Sequence, residues 1–184
     1  MHVAEAQQEV RTVYLGGSVG QLVSGAIWLL SAALGSWVGK REAILTLVVG
    51  GAFIFPITQL ALRLLGRAAS LSGANPLRYL AMQVAFIVPL TLPVVGGAAL
   101  HNVNWFYPAC MIVVGAHYLP FIFLYGNGQF GILAAVLMGG GVALGMARPQ
   151  EFLPGGWLTG LVLVVFGLVL WVGNGRRAAV AVTG

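Results

Sequence analysis

The sequence predicts an all-α polytopic integral membrane protein, a bundle of six transmembrane helices. Three observations predict it: a composition too poor in charge for water, six apolar runs of spanning length, and aromatic residues gathered at the ends of those runs. Of the 184 residues 59% are hydrophobic, 27 more are glycine, and only 7% are charged. A soluble domain carries about 25% charge. The chain therefore cannot clothe a soluble surface, and a disordered tail and a nucleic-acid binder are excluded with it. The formal net charge of +5 comes from nine basic and four acidic residues. Basic residues this sparse set orientation in a bilayer rather than marking an acidic partner.

Residues 1–13 are polar and carry Val3, Ala6, Val10 and Val13 at helical spacing, with Glu5, Gln8 and Glu9 elsewhere on the wheel. This pattern predicts either a short amphipathic helix at the membrane surface or a flexible tail. No basic stretch precedes an apolar run and a small-residue cleavage site, so the first apolar run is expected to be kept as a helix.

A hydrocarbon core of ~30 Å needs ~20 apolar residues per helix. Runs at residues 14–38, 43–65, 77–100, 105–125, 129–147 and 156–173 meet or approach that length, and 174–184 is left as a second tail. Short links make sequential spans antiparallel neighbours. The Gly126-Asn127-Gly128 link also fits a break inside one longer re-entrant region. Arg11, Arg63, Arg67, Arg78, Arg176 and Arg177 fall on one side, and Lys40, Arg41 and Arg148 on the other. Six against three places both termini in the cytoplasm, in a bacterial inner membrane. Trp37, Trp105 and Trp157 then mark outer ends, and Tyr14, Tyr79, Tyr125 and Trp171 inner ends, as an aromatic belt at each interface requires.

Within the spans, Gly16/Gly20, Gly35/Gly39, Gly141/Gly145 and Gly156/Gly160 are each four apart. Small residues let helices approach closely in lipid, which points to a compact bundle or a homo-oligomer through Gly-rich faces. The stretch AFIFPIT at 52–58 returns as AFIVPLT at 85–91, with a fainter echo, LPFIF, at 119–123. Proline interrupts a helix, and interrupted helices at similar depth in antiparallel spans are what inverted-repeat carriers use. The alternative is coincidence among residues common in membrane helices.

Chemistry-bearing residues are few. No Asp or Glu lies inside a span, which disfavours a carboxylate-driven pump and excludes a paired-aspartate intramembrane protease. One cysteine, Cys110, allows no internal disulfide or cysteine-cluster metal site. His117, near the middle of the fourth span beside Tyr118, should face the bundle interior. It is read as a ligand-binding or proton-accepting group, or as a neutral histidine joining helices. His101 lies twelve residues away, roughly 18 Å in depth at 1.5 Å per residue, so the two cannot share one metal ion. Gln21, Gln59 and Gln83 lie at one depth on three consecutive spans and are expected to line a neutral pocket or to bond one another. His101, Asn102 and Asn104 form a polar outer link that is expected to cap an outward-facing cavity. No nucleotide loop, zinc-protease motif or nucleophile elbow occurs.

The expected function is thus a carrier, channel-like or ligand-binding membrane protein for an uncharged, apolar or zwitterionic small molecule, with no cofactor and no metal. The alternatives are a membrane-embedded enzyme using His117, disfavoured by the missing nucleophile, and an accessory subunit of a larger membrane complex. The partners are the lipid bilayer, the small-molecule ligand and further copies of the chain, with no nucleic acid.

Overall fold

Seven helices and two 3₁₀ turns make up the computed structural model, which describes the backbone of residues 1–183 and the side chains of residues 1–173. The helices are α1 (Val3–Val13), α2 (Ser18–Trp37), α3 (Lys40–Leu64), α4 (Leu77–His101), α5 (Phe106–Tyr125), α6 (Gln129–Ala147) and α7 (Pro154–Thr183). Among the described residues no strand occurs. Helices α2 to α7 are each long and apolar enough to cross a membrane, so the chain is an all-helical, six-span membrane bundle. The side chains of Arg176 and Arg177, in the tail expected at 174–184, lie outside the described residues.

The bundle has two wings. One packs α3 against α2 and α2 against α7, and the other packs α4 against α5 and α5 against α6. Glycines set the two tightest crossings. A Cβ on Gly25 of α2 would stand 3.0 Å from the Val164 nitrogen and 3.1 Å from the Gly160 carbonyl oxygen of α7. A Cβ on Gly141 of α6 would stand 2.7 Å from the Pro108 carbonyl oxygen of α5. In lipid, where burying apolar surface gains little, close backbone approach supplies van der Waals contact instead. Gly141, Gly156 and Gly160, expected to serve a compact bundle or a homo-oligomer, seat helices against one another inside this chain.

Between the wings Ser31 of α2 binds both sides. Its hydroxyl donates to the Ala43 carbonyl at 2.8 Å, which leaves its oxygen to accept from the Tyr107 hydroxyl at 2.7 Å. Tyr107, Phe130, Met111, Leu133, Leu137 and Leu163 are fully buried along the core of the bundle. The wings stay apart at one edge: α3 and α4 barely touch each other, and they are the two least buried spans.

The first span, Leu15–Trp37, opens on a 3₁₀ turn at Leu15–Gly17 with φ of 49°, 62° and 87°, and its α-helix starts at Ser18. Two of its three residues are glycine, which takes such angles freely. The turn redirects α1 across the end of the bundle, with Ala6 and Val10 buried beneath it. Gln7 donates to the Phe123 carbonyl, Arg11 donates to the Tyr125 carbonyl, and Glu9 accepts from Ser72 and Asn75. The amino-terminal segment is thus a docked helix, strapping the end of α5 to the α3–α4 link. Gly126 ends α5 in the left-handed conformation at φ 57°, so α5 and α6 are separate helices joined by a tight link.

Candidate functional site

A cleft of about 380 Å³ lies between α2, α3, α4 and α5, where α3 and α4 part. Each wall is a stripe at helical spacing. On α4 the stripe is Ala81, Ala85, Val88, Leu92 and Val95, and on α3 it includes Gly51, Ala52, Phe55, Thr58 and Gln59. Helix α2 adds Gln21, Ser24 and Trp28, and α5 adds Cys110, Val114, His117, Tyr118 and Phe121. Tyr14 and Tyr125 close the end beneath α1. Among the described residues no Asp, Glu, Lys or Arg is on the lining.

The polar groups are sorted by depth. Every hydroxyl, amide and imidazole on the lining lies in the half nearer α1: Tyr14, Gln21, Ser24, Thr58, Gln59, His117, Tyr118 and Tyr125. The far half is walled by Leu47, Val48, Leu92, Val95, Phe106 and Val113. The Tyr118 hydroxyl has Gln21 and Ser24 as hydrogen-bond partners, and Tyr14 has Gln59. The His117 ring has the Val84 backbone of α4 and packs on Phe121 with centroids 4.9 Å apart.

These bonds do not use up the polar atoms. Among the described residues four buried side-chain polar atoms have no partner: Gln21 Oε1, Thr58 Oγ1, His117 Nδ1 and Thr159 Oγ1. The first three belong to residues on the cleft lining. An unpaired buried polar group costs on the order of 1–3 kcal/mol, and three of the four belong to residues around one cleft.

Of the residues singled out from sequence, Gln21, Gln59, His117 and Tyr118 come together here. Gln83 does not: it is exposed on α4, off the lining stripe. His101, Asn102 and Asn104 lie at the opposite end of the bundle. Asn102 and Asn104 both donate to the Pro149 carbonyl, at 3.0 and 3.3 Å, and Asn104 accepts from Lys40 at 2.9 Å. They lace three links together rather than cap a cavity, and His101 rests against Trp105. Sequence reasoning missed Ser24, Thr58, Tyr14 and Tyr125. Ser24 was findable, three residues from Gln21 on the same helical face, and Thr58 adjoins Gln59.

The two AFIxP stretches face each other across the cleft, with Ala52 and Phe55 on one wall and Ala85 and Pro89 on the other. Their threonines differ. Thr91 bonds the Ile87 and Val88 carbonyls of its own helix, whereas Thr58 Oγ1 is unpartnered.

Fold and cleft together define a multi-pass membrane protein with a neutral, partly polar chamber inside its bundle. The chain belongs to a family described as a family of unknown function (DUF7010), whose model matches residues 3–173. No curated protein and no solved structure matches it.

Proposed function

We propose that this chain binds an uncharged, apolar or zwitterionic small molecule in the α2–α5 cleft, as a carrier, channel-like or ligand-binding protein of a bacterial inner membrane. One observation carries the reading: three residues that line one cleft, Gln21, Thr58 and His117, each keep a buried polar atom without a partner. Buried polar groups in native proteins are nearly always satisfied, so their clustering in a cavity marks a ligand's place rather than a packing fault. The chamber's volume falls in the range of small-molecule sites. Its lack of ionised lining residues favours a neutral ligand, moved without proton drive through the protein. Both termini face the cytoplasm in this proposal, supported by Arg11, Arg63, Arg67 and Arg78 at the α1 end.

Native mass spectrometry of the protein, gently released from its own membrane, tests the proposal. A reproducible retained mass is expected, and Gly51→Trp should remove it. Gly51 lines the cleft and a Cβ there meets nothing within 4 Å, so the indole fills the chamber without breaking a helix contact. A ligand-free protein carrying a partner chain would instead make it an accessory subunit.

A further inference from the structure

The cleft's shape and its polarity gradient identify the class of ligand, given the reading above that the cleft is a binding site. Lining residues on α5 run from Phe106 to Tyr125, roughly 28 Å at 1.5 Å per residue. A sphere of 380 Å³ is only about 9 Å across. The volume is therefore drawn out into a slot along the bundle, which suits a chain better than a compact molecule. The hydroxyl, amide and imidazole side chains lie in the half near α1, among apolar ones such as Phe121 and Leu124, and the other half carries none of them, so the slot has a head end and a tail end.

The free atoms specify the head. His117 has no acidic neighbour on the lining and bonds the Val84 backbone, as a neutral imidazole does by giving its ring N–H to a carbonyl. Its unpartnered Nδ1 then carries a lone pair and accepts. Gln21 Oε1 is also an unpartnered acceptor. Two acceptors require a head that donates, and the absence of lining cations removes the counter-charge that a carboxylate or phosphate head needs. Access comes from the side. Gly51 and Ala52 of α3 and Ala81 and Ala85 of α4 line the cleft on either side of the α3–α4 gap, and their small side chains leave room for an opening toward lipid.

We infer that the cleft takes a single-chain amphiphile with an uncharged, hydroxyl-bearing head. The head lies beside Gln21, Thr58 and His117, the chain runs toward Val95 and Phe106, and the molecule enters from the bilayer between α3 and α4. A ketone, a quinone or a fatty acid fits less well, since each lacks either the donor or the neutral head.

The test titrates the full-length protein in phosphatidylcholine nanodiscs with monoolein, oleic acid and glycerol, reading adducts by native mass spectrometry. Monoolein is expected to add one to one, oleic acid at pH 8 at least tenfold more weakly, and glycerol not at all. Gln21→Leu and His117→Leu should each weaken monoolein about tenfold. Val113→Trp, at the apolar end, should instead shorten the longest monoacylglycerol chain accepted. Oleic acid binding as well as monoolein, with both lost in Gly51→Trp, would overturn the donor head while the cleft stands as a site. Glycerol competing with monoolein would overturn the tail. Failure of monoolein to bind, with a native mass still lost in Gly51→Trp, would overturn the amphiphile alone. Monoolein binding unchanged in folded Gly51→Trp and in folded Ala85→Phe would sink both this inference and the site on which it rests.

Discussion

At the scale of single residues, two kinds of buried hydroxyl make opposite predictions. Ser31 holds a donor and an acceptor bond at once, to Ala43 and Tyr107. Ser31→Ala leaves both groups stranded in a region from which water is excluded, and should cost about 1–3 kcal/mol, seen as a lower melting temperature in detergent. Thr58 has a hydroxyl without a partner. Thr58→Val keeps the shape and removes that group, so the empty protein should gain up to about 1 kcal/mol while ligand retention falls. A melting temperature that drops in Thr58→Val would show that the hydroxyl is bonded after all. His117 and Gln21 were visible in the sequence because polar atoms in a span must find a purpose. Gln83 misled because sequence gives depth directly but the direction a side chain faces only through a stripe. Ala81, Ala85 and Val88 set the inner face of α4, and Gln83 lies roughly 200° from Ala81 on that wheel.

At the scale of elements, the straps and crossings have different chemistry and should fail differently. Helix α1 is held by the Glu9 carboxylate, which accepts from the Ser72 nitrogen at 2.5 Å and from the Ser72 hydroxyl and the Asn75 amide at 3.0 Å each. The Ser72 backbone bond, chiefly, holds its pKa below the usual carboxylate value. The folded value is depressed, so this contribution is full above the unfolded value of 4.5 and disappears as pH falls through the lowered one. Hydrogen–deuterium exchange of residues 3–13 should therefore quicken on acidification below that window, and Glu9→Gln should quicken it at neutral pH. Exchange that stays flat with pH in the natural sequence would show that the carboxylate does not hold the helix.

The crossings answer to volume instead. Gly160→Leu places a Cβ 3.0 Å from the Leu29 backbone nitrogen, and overpacking of this kind costs about 1–3 kcal/mol or more, so little folded protein should be recovered. Gly51→Leu meets open space and should express normally. The amphipathic spacing of residues 3–13 made α1 foreseeable as a helix. Its docking was not, because Ser72 and Asn75 are more than sixty residues away and nothing local announces them.

At the scale of the whole molecule, six spans and their order follow from hydropathy, since a continuous apolar run of about 20 residues satisfies its own backbone in lipid only as a helix. The gap between α3 and α4 does not follow, because it is a property of which neighbours the glycines draw together. Gly25, Gly160 and Gly141 bind α2 to α7 and α5 to α6, while α3 and α4 present Phe53, Phe86, Leu90 and Val94 to the outside. In α3 and α4 the prolines Pro56, Pro89 and Pro93 also remove backbone donors. Elements with few packed neighbours are the ones that move at low cost. Two spin-labelled pairs, built in a Cys110→Ala background, measure this. Labels at Val49 and Val94 report on α3 and α4, and labels at Leu30 and Val165 on α2 and α7; all four positions are exposed. The α3–α4 pair should give a broad distance distribution that narrows when monoolein is added, while the α2–α7 pair stays narrow in both conditions. A narrow α3–α4 distribution in the empty protein, unmoved by ligand, would mean the lateral opening is rigid. The chamber would then have to exchange its contents past Tyr14 and Tyr125, at the end that α1 straps down.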